Sequence, residues 1–271
     1  LREAGFCQPI LLLEGFFTPQ ELALFEKYQL SAVIHHDEQV SMLTHSKHRQ
    51  LDLYLKINTG MNRLGLTPEQ FVRAVNTLKQ HQCANSITLM THFASADENI
   101  EKESVARQLQ SFTTATQGLL HSCSLANSAA IIRYPETHTD WVRPGIMLYG
   151  ASPFADQTAE QLNLKPVMTL SSKIIATQEL KSGDRVGYHG LFEADYPMRI
   201  GIVACGYADG YPRHAPTNTP VLINNQRSRI LGRISMDMLT VDLTHIQDAG
   251  INSPVVLWGG GVTVDEVAQH A

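Results

Sequence analysis

Two different rhythms divide the sequence, and they constrain its fold more than any other feature. Over roughly the first 150 residues, short apolar runs alternate with segments that open like helices. Pro9-Ile10-Leu11-Leu12-Leu13 and Ala32-Val33-Ile34-His35 read as strands; Leu51 to Ile57, Ser86 to Phe93, Ser122 to Ala126 and a short run ending in Trp141 and Val142 continue the series. Thr18-Pro19-Gln20-Glu21 and Thr67-Pro68-Glu69-Gln70 each set a Thr cap before a Pro, with Glu or Gln in the reciprocal capping position. They open helices through about Tyr28 and over Phe71 to Lys79, and Glu38 to His48 and Glu101 to Leu119 read as two more. About six strand units, each followed by helix or loop, call for a parallel sheet, which a (β/α)8 barrel and an open doubly wound sheet both satisfy. No GxGxxG follows the early strands, which weighs against dinucleotide binding.

From about Leu164 the rhythm becomes β-rich, with Gly, Asn, Asp and Pro between the segments. Met168 to Thr177, Arg185 to His189, Met198 to Cys205, Pro220 to Asn224, Arg229 to Leu243 and Pro254 to Trp258 carry this half, and almost no helix is signalled. It reads as an all-β domain, sandwich or barrel. The expected organisation is therefore an α/β domain over residues 1–163 and a β-domain over 164–271, joined within Ser152 to Leu164. Leu1-Arg2-Glu3-Ala4-Gly5 resembles the last turn of a helix with its Gly terminator, and Thr263-Val264-Asp265-Glu266 a capping box with too few residues after it for a stable helix. Both ends are thus expected to be cut.

Composition narrows the function classes. A hydrophobic share of 43% supports a sizeable core, and a net charge of −5 with no basic run argues against a nucleic-acid surface. No apolar stretch approaches the roughly 20 residues of a membrane span. Cys7, Cys83, Cys123 and Cys205 form no CxxC pair and read as thiols of a reducing cytosol, and no HExxH-like spacing points to a metal.

Functional groups of α/β barrels gather where strands end and loops begin. Lys56-Ile57-Asn58-Thr59-Gly60-Met61-Asn62-Arg63-Leu64-Gly65 ends a strand in Lys and delivers an Arg from a Gly-punctuated loop; a salt-bridged barrel mouth is the plain alternative. His92, in Thr91-His92-Phe93-Ala94-Ser95-Ala96-Asp97, stands at another strand end, as catalyst or as satisfied structure. Ala126-Asn127-Ser128-Ala129 turns a strand into a helix and suits a phosphate, or is an ordinary cap by Asn127 or Ser128. Val142-Arg143-Pro144-Gly145-Ile146 places an Arg beside a Gly, to hold an anion or the structure. The β-rich half adds Gly187-Tyr188-His189-Gly190, Gly206-Tyr207-Ala208-Asp209-Gly210-Tyr211 and Gly232-Arg233-Ile234-Ser235-Met236-Asp237, each readable simply as a turn with a packed ring.

In order and spacing these motifs, taken together, resemble those of the alanine racemase family over essentially the whole chain. The resemblance implies a pyridoxal-phosphate (PLP) binding (β/α)8 barrel followed by a β-domain, in a homodimer whose active sites join the barrel of one subunit to the β-domain of the other. It implies that Lys56 is carbamylated and orients Arg63, which approaches the cofactor and the substrate carboxylate. It places His92 and Arg143 in contact against the cofactor ring, Arg143 at the pyridine nitrogen. It assigns Asn127 to the cofactor site, and Ser128 with the backbone of Gly145 and Ile146 to the phosphate. Tyr188 matches the catalytic tyrosine, Tyr207 lines the substrate entrance, and the Met236 backbone contacts the substrate carboxylate. Racemisation moves the α-proton from one face of the substrate to the other. Two opposed bases, the cofactor lysine and Tyr188, suit it.

The sequence also departs from the family. Asn58 stands where Asp is usual, and Ser235 where some members have Cys. The resemblance implies that the cofactor lysine and first two barrel strands lie upstream of where Leu1 aligns, and that a further phosphate-contacting tyrosine falls after residue 271. These residues by themselves are accordingly expected to be inactive. Racemisation of serine, lysine or a broader range of amino acids is an alternative, as is an inactive module that only dimerises or binds.

Overall fold

The computed structural model describes residues 1–48, 50–98 and 102–271, which form two compact units, Leu1–Gly145 and Ile146–Ala271. The first unit contains six parallel strands: β1 (Ile10–Leu12), β2 (Leu30–Ile34), β3 (Leu51–Lys56), β4 (Ala84–Met90), β5 (Ser122–Asn127) and β6 (Trp141–Arg143). They lie side by side in chain order, with Ala32 beside Leu53, Lys56 beside Met90 and Asn127 beside Arg143. That order settles the choice the sequence left open. A doubly wound sheet reverses its strand order at a switch point, whereas a barrel advances one way.

Among the described residues of this unit five α-helices accompany the strands: α1 (Leu22–Lys27), α2 (Asp37–His45), α3 (Pro68–Gln80), α4 (Lys102–Ala115) and α5 (Ser128–Arg133). In α3, Phe71, Ala74, Val75 and Leu78 recur at helical spacing and are all buried. Thr67 caps it, accepting the Gln70 N–H while Gln70 returns the bond. On β3, Leu51, Leu53 and Leu55 are buried on one face, which leaves Asp52, Tyr54 and Lys56 on the other. Asp52 and Tyr54 of that second face, with Ser86, Thr88, Ser124 and Arg143, line a cavity whose walls also include Leu11, Ile87 and Trp141. Three expected helices differ in extent. The Thr18 signal opens a short 3-10 turn, Pro19–Glu21, before α1, and α2 stops at His45 where Ser46 turns extended. The expected start of α4, Glu101, lies outside the described residues.

In the second unit, β7 (Leu170–Leu180), β8 (Arg185–Val186), β9 (Phe192–Glu193), β10 (Met198–Val203), β11 (Pro220–Ile223), β12 (Gln226–Leu231), β13 (Leu239–Asp242) and β14 (Pro254–Trp258) precede α6 (Val264–His270). Six of the strands close into an antiparallel barrel in the order β10-β13-β12-β11-β14-β7, around Ile174, Val203, Val221, Ile230, Val241 and Val255. Asn224 and Asn225, with φ of 49° and 62°, make the two-residue turn between β11 and β12, a left-handed conformation asparagine tolerates.

Three expectations are corrected here. Arg185 to His189 is not one strand. Pairing stops at Val186, and Gly187 with φ 72° turns the chain into a 3-10 turn, Tyr188–Gly190. Arg229 to Leu243 is two strands, separated after Leu231 by Gly232 with φ 70°. The capped segment at Thr263 does form a helix, because its first turn is anchored from outside. The Asp265 carboxylate accepts the N–H groups of Ser152 (3.0 Å) and Ala159 (2.6 Å), Glu266 pairs with Arg227, and Val267 is buried. The same two bonds tie Ser152 and Ala159 to α6 within the second unit.

Candidate active site

Four strand ends of the first unit carry the groups singled out from the sequence. At the end of β3, the Leu66 N–H bonds back to the Lys56 carbonyl (2.8 Å) and the Asn58 N–H to the Leu66 carbonyl (2.9 Å), so the loop closes on itself and presents Arg63. Asn58 organises its interior. Its side-chain oxygen accepts the N–H groups of Gly60 (3.1 Å) and Asn62 (3.0 Å), and its amide donates to the Asn62 side-chain oxygen (2.9 Å). An ionised Asp could not make that last bond, so the departure from the family residue adds a donor.

Lys56 is only 8% exposed, and no described residue supplies its amine with a hydrogen bond or carboxylate. Burial, followed by repulsion from Arg63 and Arg143, pushes its pKa from 10.5 down to about 8. Across the strand ends, Arg143 donates from Nη1 to the Ser124 hydroxyl (2.6 Å) and from Nη2 to the carbonyls of Thr91 (2.6 Å) and Leu125 (3.1 Å). All these partners are neutral. Burial lowers its pKa to about 10, and the guanidinium stays charged at neutral pH.

His92 lies 3.4 Å from Arg143, Nδ1 facing Nη2. Since a guanidinium can only donate, Nδ1 accepts and the ring is neutral. Burial first, then the charges of Arg143, Lys56 and Arg63, bring its pKa down to about 4. The contact expected between His92 and Arg143 is present, and Arg63 and Arg143 lie close enough to lower the pKa of both Lys56 and His92.

At the end of β5, Ser128 is 5% exposed and its Oγ accepts the Gly145 N–H at 2.7 Å. Asn127 is committed to the backbone instead. Its oxygen accepts the Ala130 N–H (3.0 Å) and its amide donates to the Phe93 carbonyl (3.3 Å), which makes it the cap of α5. Ile146 opens the second unit, so of the expected phosphate group only the Ser128–Gly145 pair lies within the first.

The three turns of the second unit converge. The segment from Gly232 to Met236 runs between the other two. Gly232 abuts the Val186 carbonyl, where a Cβ would stand 2.9 Å from the oxygen, and Gly206 abuts Met236, where it would stand 2.2 Å from the carbonyl oxygen. Only glycine permits that approach. Tyr207 N–H donates to the Ser235 carbonyl (3.1 Å) and Ala208 N–H to that of Met236 (2.9 Å). Among the described residues the Met236 N–H has no acceptor. Tyr188 is 68% exposed, and Tyr207 is half-buried beneath the Arg213 guanidinium, 5.2 Å from its ring centre. The sequence reading missed Thr91, Ser124 and Arg213. Each sits beside or within a motif that was noticed, but nothing in a one-dimensional pattern separates such neighbours from filler.

Parallel strands with cationic side chains at their ends, followed by an antiparallel barrel with tyrosine-bearing turns, define an enzyme of two-unit barrel design. Residues 1–153 match the family model described as alanine racemase, N-terminal domain, and residues 167–271 the model for the alanine racemase C-terminal domain. The chain belongs to the alanine racemase family. It is 60% identical over 274 residues to an alanine racemase of Nitrosomonas eutropha, covering 100% of this chain and 76% of that protein. It is also 60% identical over 272 residues to one from Nitrosospira multiformis, with the same coverage. The biosynthetic alanine racemase of Pseudomonas aeruginosa superposes with a TM-score of 0.92 at 43% identity, over 99% of this chain and 75% of that one.

Proposed function

We propose that this protein interconverts L- and D-alanine with pyridoxal 5'-phosphate. The observation that carries the reading is the group of cations, Lys56, Arg63 and Arg143, without a carboxylate partner among the described residues and beside a neutral His92. Positive charge left uncompensated in a partly buried site calls for an anion. The donor set fits this cofactor. The Ser128 hydroxyl proton, with no acceptor among the described residues, and the Gly145 backbone suit the phosphate, and Arg143 the ring nitrogen. When bound, the cofactor supplies an electron sink that acidifies the substrate's Cα–H.

The chain's own residues then divide the work. Arg63 and the unpaired Met236 N–H hold the substrate carboxylate. Tyr188 removes or returns the proton on one face, and a lysine acts on the other. Tyr207 with Arg213 lines the approach. Each site joins the first unit of one subunit to the second unit of its partner in a homodimer. The cytoplasm is the proposed compartment, and among the described residues no helix is long and apolar enough to cross a membrane. Chiral separation of products from the purified holoenzyme tests the assignment. Alanine is expected to turn over faster than serine or lysine; preference for a larger side chain, or no turnover, overturns it.

Lys56 is proposed to carry a carbamate. Its neutral nitrogen attacks the carbon of CO2, an N–C bond forms, and the proton leaves to water. With a pKa of about 8 against an ordinary 10.5, the neutral amine at pH 7 is roughly 300-fold more populated than on an unperturbed lysine. The anion so formed replaces like-charge repulsion of Arg63 by attraction. Because the cationic amine predominates below about pH 8, CO2-free buffer at pH 6 should strip the group, and bicarbonate at pH 8 should restore it together with activity. Intact mass reads the change; an activity indifferent to CO2 would refute it.

A further inference from the structure

Thr91 occupies the junction of every strand that carries a site residue in the first unit. It is fully buried, at 0% exposure, immediately before His92. Its N–H donates to the Ser124 carbonyl (3.3 Å), which ties it to β5. Its carbonyl accepts Arg143 Nη2 at 2.6 Å. Its hydroxyl donates to the Ile57 carbonyl at 3.0 Å, the residue after Lys56, and so is left to accept from the Thr59 hydroxyl at 2.7 Å. Thr59 and Ile57 belong to the loop that presents Arg63. One residue thus holds the Arg63 loop by its side chain and Arg143 by its backbone.

We propose that Thr91 is a positioning residue that locks the Lys56–Arg63 loop and the Arg143 guanidinium into one frame. The inference rests on the reading of Arg63 as the carboxylate-binding group. Valine has nearly the shape of threonine but no hydroxyl, so Thr91→Val leaves the buried Ile57 carbonyl without its donor and releases Thr59. The backbone contact to Arg143 survives, so the loss falls on the loop and on substrate binding more than on the chemical step.

Two measurements test this. Hydrogen exchange on the cofactor-free protein should show faster exchange for Thr91→Val confined to Asn58 through Leu66, whose N–H groups close the loop. In the holoenzyme, KM for alanine should rise about tenfold with kcat within about threefold of its starting value, and Thr91→Ser should restore KM to within about twofold. Should the buried variant fold poorly, Thr59→Val, on the half-buried side of the same bond, is expected to shift KM in the same direction by a smaller factor. Unchanged loop exchange, or exchange that accelerates throughout the protein without rescue by serine, overturns the lock. Faster loop exchange with an unchanged KM supports the lock and counts instead against Arg63 as the carboxylate-binding group.

Discussion

Replacing Tyr188 by phenylalanine is expected to lower kcat for racemisation by about 10²–10⁴-fold, with KM for alanine changed less than about threefold. The substitution removes one oxygen. Among the described residues no hydrogen bond uses that oxygen, and the ring is already 68% exposed, so stability should scarcely respond. The turn that carries Tyr188 is fixed by backbone conformation. Gly187 and Gly190 adopt φ of 72° and 54°, and His189 adopts 64°. Phenylalanine therefore inherits the position and lacks only the acid–base group. If Tyr188 serves one face and a lysine the other, exchange of the α-proton with solvent will be lost from one enantiomer and kept for its mirror image. Equal loss for both, or no loss, would show that the phenol is not the base of a two-base pair.

The α/β rhythm was legible because apolar strand runs alternate with helix openings such as Thr18-Pro19 and Thr67-Pro68. The choice between barrel and open sheet was not, since strand order is a property of crossovers and not of local pattern. Tyr188 was misplaced on a strand for a local reason. Alternation continues past Val186, and only the left-handed φ of Gly187 and His189 ends it. The helix at Thr263 was discounted on length, yet it is stabilised by bonds to Ser152 and Ala159, more than a hundred positions earlier in the chain. Propensity arguments cannot see such long-range anchors.

The site divides along similar lines. Lys56, Arg63, His92 and Arg143 were legible as charged or titratable groups at strand ends. Asn127 was readable as a cofactor-site residue or as a cap because caps and anion sites use the same residue types, and its two backbone bonds make it the cap of α5. Thr91 and Ser124 carry no charge, and nothing in their motifs marks them out from their neighbours. What makes them matter is that a buried guanidinium needs acceptors, and they supply two of its three short bonds.

Arg143→Glu is expected to lower racemisation by at least about 10²-fold and to raise the fraction of turnovers that end in transamination. The first effect follows from the partners. Ser124 Oγ and the carbonyls of Thr91 and Leu125 now accept from Arg143, and an ionised carboxylate offers them no proton. The second follows from proton inventory. Arginine keeps its proton, so if Arg143 faces the ring nitrogen of the proposed cofactor it would donate a hydrogen bond without transferring a proton, whereas glutamic acid could transfer one. The proposed cofactor would then be the stronger electron sink, which would favour transamination over racemisation. The same exchange reverses a charge next to His92. Its pKa, held at about 4 by burial and then by Arg143, Lys56 and Arg63, should rise, because repulsion from position 143 becomes attraction while burial still opposes it. Histidine NMR of the variant would then show protonation at a pH where the parent ring is neutral. Pyruvate formed per racemisation event measures the side reaction directly. A ratio equal to that of the parent enzyme would mean that Arg143 does not control the fate of the deprotonated substrate, whatever it does to the rate.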